Sequence, residues 1–181
     1  ALPISTRGGD LAYWTAFGGE LPFACVHLPE PDASDPAKLC GLALGYDLCI
    51  VDCDPRPGAV QQAVSQSADL VLLPVGASPM DVWSAAEAQT LWGPLRSRVI
   101  CNGFDPRTRL GARLHDDLSR SDLALAAATV PRRALHAEAM AYGTCAPLDS
   151  PDGPAARDLN ALLEEVRSVA FKARQTALRV H

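Results

Sequence analysis

The sequence predicts an α/β fold, a three-layer domain with a mostly parallel sheet. Uninterrupted apolar runs at 48–51, 70–75 and 99–101 need burial on both sides, as central parallel strands do and half-buried strands do not. Helix-length stretches separate these runs, so the strands are expected side by side and parallel, with helices on both faces. At 181 residues, 48% of them hydrophobic, the chain can close one good core, and residues 1–181 read as a single domain.

Each element has a local reason. Leu2-Pro3-Ile4-Ser5 is too short to establish a strand, and 10–17 reads as one or two helical turns ended by Gly18-Gly19. Leu21–Leu28 is a strand before Pro29, 29–36 a Pro/Asp-rich loop and 37–44 a short helix. The run from Leu48 ends in Asp52-Cys53-Asp54, where Pro55 and Pro57 stop further strand pairing. Val60 and Val64 mark a helix over 58–67. After the 70–75 strand, Ser78 as N-cap, Pro79 at the first helical position and Asp81 at the third start a helix that Gly93-Pro94 stops. The third strand ends in Asn102-Gly103, and Leu110, Leu114 and Leu118 give the next helix one apolar face. Residues 123–130 read as a strand near the sheet edge, followed by a helix from Pro131 to Met140. The last helix starts near Asp152-Gly153-Pro154 and carries Leu159, Leu162, Val166 and Val169 on one side.

Composition narrows the function. No run reaches the eighteen or so apolar residues of a membrane span, so the expectation is a cytoplasmic protein without one. The six cysteines have no paired knuckle spacing and the four histidines do not cluster, which suits buried thiols in a reducing compartment better than a zinc site. The net charge of −5 hides a polarity: residues 1–95 hold three basic residues against eleven acidic ones, and 96–181 hold thirteen against ten. Its basic extreme is the tail 167–181, where Arg167, Lys172, Arg174 and Arg179 stand without an acid. That tail is either a solvated helix end or a surface for non-specific DNA contact. Asp52 and Asp54 fall at the carboxyl end of a strand, where open α/β sheets bind ligands; aspartates beside prolines also serve simply as loop formers.

Tyr46-Asp47, Asp52-Cys53-Asp54-Pro55-Arg56, Asp69 through Pro74-Val75, and Ser78-Pro79-Met80-Asp81 together resemble the ParA/MinD-like partition ATPases, in particular the small plasmid-type ParA proteins. The resemblance continues through Asn102, Arg107-Thr108-Arg109, Thr129-Val130-Pro131-Arg132-Arg133, Glu138 and Gly143, spanning about residues 20–170. It implies a P-loop NTPase-like domain in which Asp52 sits where the family coordinates Mg²⁺ through water, as both catalytic and metal residue. Asp54 sits where the second switch begins, and Asn102 where the family contacts adenine. Arg132 and Arg133 fall at the switch-facing ligand edge, as cofactor or partner residues. Arg167, Lys172, Arg174 and Arg179 fall where a DNA surface would lie.

The family's Gly-rich, Lys-containing phosphate loop has no counterpart here: there is no Gly-Lys-Ser or Gly-Lys-Thr, and the lysines are Lys38 and Lys172. Residues 4–14 look like a worn second strand and first switch loop. The expectation is therefore no resident cofactor, with ATP and Mg²⁺ held weakly at best. Three readings stay open. One is a non-catalytic ParA-like protein that binds a plasmid partition or transfer protein, in the form of a homodimer. Another is a Mg-dependent nucleotidase or nuclease with a site rebuilt on Asp52 and Asp54, joined by Asp10 and an arginine from 107–109 or 132–133. The third is a piece of a complete ATPase. Trp14, Trp83 and Trp92 read as core or core edge, the alternative being an exposed partner groove, and His136 as helix surface.

Overall fold

The computed structural model describes residues 2–6, 11, 25–53 and 58–178, with side chains through Ala170. The chain divides into two units, Ala1–Ala68 with Ala139–Thr144, and Asp69–Glu138 with Cys145–His181. All ladders within them are parallel among the described strands, as expected.

The first unit is built on β1 (Leu2–Thr6), β2 (Val26–Leu28) and β3 (Cys49–Asp52), in the order β2-β1-β3. The opening residues, too short by sequence to establish a strand, are its fully buried middle strand. Pro3, Ser5 and Thr6 disguise it. The Leu2 N–H bonds Leu48 O at 2.8 Å on the β3 side, so the missing N–H of Pro3 faces β2, whose ladder starts only at Ile4. Thr6 Oγ1 donates to the Asp52 carbonyl at 2.9 Å, which satisfies a buried hydroxyl.

Three helices follow these strands: α1 (Glu30–Ala33), inside the expected loop, α2 (Pro36–Ala43) and α3 (Ala59–Ser67). Asp35 starts α2 by accepting the Ala37 N–H at 2.9 Å, with Pro36 at the first helical position. Leu2, Ile4 and Leu28 pack with Ala33, Leu39 and Ala63 into one core, each large aliphatic contributing on the order of 1.5–3 kcal/mol. One expectation is corrected here: the 48–51 run is not buried on both sides, since Ile50 is 52% exposed.

The second unit orders β4 (Val71–Val75), β5 (Ser97–Phe104) and β6 (Val130–Pro131) as β4-β5-β6. Two of the three strands expected side by side, 70–75 and 99–101, are neighbours here, whereas β3 pairs with β1. The strand expected over 123–130 shrinks to a bridge between Val99 and Leu125 and then β6. The helices are α4 (Pro79–Trp92), α5 (Arg109–Ser119), α6 (Ala134–Ala141, of which Ala139–Ala141 belong to the first unit), α7 (Ala146–Asp149) and α8 (Pro154–Leu178). Val75, Val99, Cys101 and Phe104 pack under Ala85 of α4 and Leu114 and Leu118 of α5. Ile100, Ala126 and Val130 pack under Leu159 and Leu162 of α8. Adjacent residues of β5 thus serve opposite faces, which makes this unit three-layered.

Polar contacts fix the layers. The buried Gln89 side chain donates from Nε2 to Ser97 Oγ at 3.1 Å and accepts the Ala124 N–H at 2.8 Å, while Ser97 Oγ donates to Gly93 O at 2.7 Å. Glu165 of α8 accepts the N–H groups of Ala127 at 3.0 Å and Ala128 at 2.7 Å. At the start of α5, Thr108 caps by accepting the Gly111 N–H at 3.0 Å. Gly111 is required there, because a Cβ would stand 2.1 Å from the Asp105 carbonyl oxygen.

Candidate functional site

In the first unit the only described member of the carboxylate pair is Asp52, the last residue of β3, opposite Ser5 in the ladder. Its carbonyl is tied to Thr6, and its carboxylate raises the Cys53 thiol, which burial and then the Asp52 charge push up to about 11. That thiol is a poor nucleophile at neutral pH. Asp54 and Asp10 lie outside the described residues. Among the described residues, no three His, Cys, Asp or Glu side chains are grouped to hold a metal ion.

In the second unit, polar residues gather at the carboxyl ends of the strands. Asn102 is exposed on β5 opposite Val130, next to a ladder irregularity at Gly103, whose φ of 66° is left-handed. Arg132 follows β6; its N–H donates to Phe104 O at 2.7 Å and its side chain is exposed. Asp105 lies between them in the loop after β5. The Arg107 side chain, bonded through Nε and Nη2 at 2.9 Å each, holds the Asp105 carboxyl at about 2, helped by the Arg107 N–H and by the charge of Arg132. The structure thus brings Asn102 and Arg132 to one strand-end rim. Arg133 instead ties the chain to α8, its Nε bonding Asp158 at 2.5 Å.

The loop from β4 into α4 closes that rim. Ser78 occupies the N-cap position without a side-chain hydrogen bond, and Asp81 instead accepts the Gly76 N–H at 3.1 Å. That N–H is therefore engaged from within. Of the two lysines, Lys38 lies on α2 and pairs with Asp32, and Lys172 lies on α8.

Arg167, Lys172 and Arg174 lie on α8, which stays helical to Leu178; the side chains of the latter two are not described, and Arg179 is outside the described residues. Arg167 pairs with Glu164 at 3.5 Å. Among the described residues, no helix is long and apolar enough to cross a membrane.

Sequence reasoning missed several residues. Asp105 and Glu165 gave no signal, because an acid that bonds distant backbone or a near arginine looks like any surface acid. Trp83, expected at the core, is 65% exposed. His136, expected on the surface, is half-buried with its Nε2 enclosed and unpartnered.

Parallel strands with polar residues at their carboxyl ends, and helices on both faces of the sheet in the second unit, define an α/β protein. No family model matches the chain. The maintenance of carboxysome distribution protein A of Halothiobacillus neapolitanus is 26% identical over 168 residues, which cover 87% of this chain and 78% of that protein. The septum site-determining protein MinD of Pyrococcus horikoshii, solved with Mg-ADP, matches with a TM-score of 0.74 at 13% identity, over 95% of this chain and 85% of that one. The second likeness shows a MinD-like fold for this chain.

Proposed function

We propose that this chain is a positioning protein of the ParA/MinD type that acts by binding a partner, a component of a partition or transfer system, and not by hydrolysing a nucleotide. The observation that carries the positioning reading is the likeness to a protein of carboxysome distribution, which runs through 87% of the chain. The strand-end rim of Asn102 and Arg132 supports a retained contact to a heterocycle and its charge, since an Asn offers both a donor and an acceptor. The engagement of the Gly76 N–H by Asp81, which withdraws that donor from a phosphate, supports weak binding of Mg-ATP at this loop. Calorimetry with Mg-ATP on wild type and Asp52→Ala tests this. Weak binding, no turnover above background and no effect of the substitution are the expected results. Tight binding, or hydrolysis abolished in Asp52→Ala, would replace this proposal with the ATPase reading.

A second reading concerns α8. Its helical course to Leu178 keeps Arg167, Lys172 and Arg174 on one rod with Arg179 just beyond in the chain, which favours non-specific phosphate contact. Duplex DNA titrated at two salt concentrations should bind wild type with a steep salt dependence, each neutralised cation lowering the slope by up to about one. Absent or salt-insensitive binding, unchanged in a quadruple alanine variant, would remove the DNA role.

A further inference from the structure

The segment that delivers Arg132 to the rim is held by the sheet on one side and by α8 on the other. On the sheet side, the Ala126 N–H donates to Val99 O at 2.8 Å and the Arg132 N–H to Phe104 O at 2.7 Å. At 127–128 the chain turns to the helix instead: the Ala127 and Ala128 N–H groups donate to Glu165 at 3.0 and 2.7 Å. Earlier on α8, Asp158 accepts from Arg133 Nε at 2.5 Å. The spacing from Asp158 to Glu165 is about two helical turns, so both acids lie on one face, roughly 10 Å apart along the axis. Leu159 and Leu162, between them in sequence, pack against Ala126 and Val130. The later acid meets the earlier residues, so α8 runs antiparallel to the segment and grips it near both ends.

The sheet alone does not set where this segment ends. β6 is two residues long and stands at the edge of its sheet, and its register against β5 shifts between Asn102 and Phe104. Without Glu165, two backbone donors would lose their acceptors beside an apolar layer. Without Asp158, the guanidinium of Arg133 would be released next to that of Arg132. Arg133 spends its charge on α8, while the exposed Arg132 stands close enough to Asp105 for its own charge to lower that carboxyl. We infer that α8 positions the strand-end rim: Asp158 and Glu165 clamp residues 127–133 from outside the sheet and thereby fix where Arg132 stands beside Asn102. Both acids act through Arg132 and are positioning residues. The inference rests on the rim contact proposed above, and it adds a consequence. A ligand on the rim and the clamp on α8 strengthen each other, because coupling between two sites is reciprocal.

The probe is adenosine monophosphate, titrated by calorimetry without a metal ion. Asn102→Ala and Arg132→Ala test the rim itself, and both should weaken binding. No binding by wild type, or affinity unchanged in these two variants, would overturn the rim contact and the inference with it. With the rim contact in place, Asp158→Asn and Glu165→Gln should each weaken binding by about three- to tenfold. Neither should matter further in the Arg132→Ala background, since the double-mutant cycle removes the side chain through which they act. A merely structural role would instead weaken binding equally in both backgrounds. Circular dichroism verifies that each variant is folded; should one unfold, wild type carries the test. There the nucleotide should slow hydrogen exchange at Ala127 and Ala128, and Asn102→Ala should abolish that effect. Affinity unchanged in Asp158→Asn and Glu165→Gln, an equal loss with and without Arg132, or exchange at those amides untouched by bound nucleotide would overturn the inference and leave the rim contact standing.

Discussion

Replacing Gly111 with alanine sets two effects of opposite sign against each other. In a helix interior, alanine is favoured over glycine by about 1 kcal/mol, so propensity alone makes Gly111→Ala stabilising. The structure reverses this. The new Cβ would stand 2.1 Å from Asp105 O, 2.8 Å from Asp105 C and 3.0 Å from Thr108 Oγ1. Two of the three are backbone atoms, which no rotamer change can move. The Asp105 carbonyl also accepts the Thr108 N–H at 3.1 Å and the Thr108 hydroxyl at 2.8 Å, so displacing it weakens the turn that starts α5. Overpacking of roughly 1–3 kcal/mol, with about 0.5–1 kcal/mol for each of the two weakened bonds, outweighs the propensity gain of about 1 kcal/mol and leaves a net loss of roughly 1–4 kcal/mol. For a chain of this size that lowers Tm by about 2–16 °C. Gly41 in α2 provides the control: a Cβ there meets nothing within 4 Å, so Gly41→Ala should raise stability by up to about 1 kcal/mol. Urea titrations and thermal scans of both variants measure the difference. Gly111→Ala as stable as wild type, or both variants shifting in the same direction, would refute the reasoning.

Two further outcomes follow from the polar contacts. Glu165→Gln leaves one amide oxygen where two carboxylate oxygens served, and turns an NH₂ toward a backbone N–H. It should cost about 1–3 kcal/mol and speed hydrogen exchange at Ala127 and Ala128, and protection at those amides equal to wild type would count against the clamp. For Asp105 the folded-state pKa of about 2 lies below the unfolded value of about 3.9. Its contribution is therefore present above the unfolded pKa and is lost as pH falls through the folded one, between about 4 and about 2. In Arg107→Ala the Asp105 carboxyl, followed by carbon NMR, should titrate closer to the ordinary carboxylate value; an unmoved midpoint would remove Arg107 as the cause.

How much of this was legible in the sequence depends on where the signal resides. The runs at 70–75 and 99–101 gave β4 and β5, because a continuous apolar run leaves a composition signal, although only 99–101 is buried on both faces and Leu72 of β4 is exposed. β1 is no less buried, yet Pro3, Ser5 and Thr6 break the run, and only the ladder on both sides satisfies them. The helix start at Ser78-Pro79 was legible, but not that Asp81 would supply the hydrogen bond to this turn, since a loop's path decides which of two nearby acceptors reaches an N–H. Asp52 and Arg132 lie at strand ends as the sequence placed them, whereas β5 runs two residues past Asn102 to Phe104. The engagement of Arg133 by Asp158 was not legible, because the partner lies twenty-five residues on in another element. Trp83 misled for a related reason: residue type sets a preference for burial, while the rotation of a helix decides exposure.

That rotation has an identifiable cause in Gln89. Ser97 Oγ spends its hydrogen on Gly93 O and must accept from Gln89 Nε2, while the Ala124 N–H needs the Gln89 oxygen, so the amide can sit in one orientation only. A glutamate there would lack the donor, and a leucine would strand both partners. The amide therefore works as a keyway for α4: it sets the azimuth of the helix about its own axis. Turning α4 by one residue would unseat three hydrogen bonds at once. The outward aim of Trp83 is in this sense enforced from the inside, by the buried amide of Gln89.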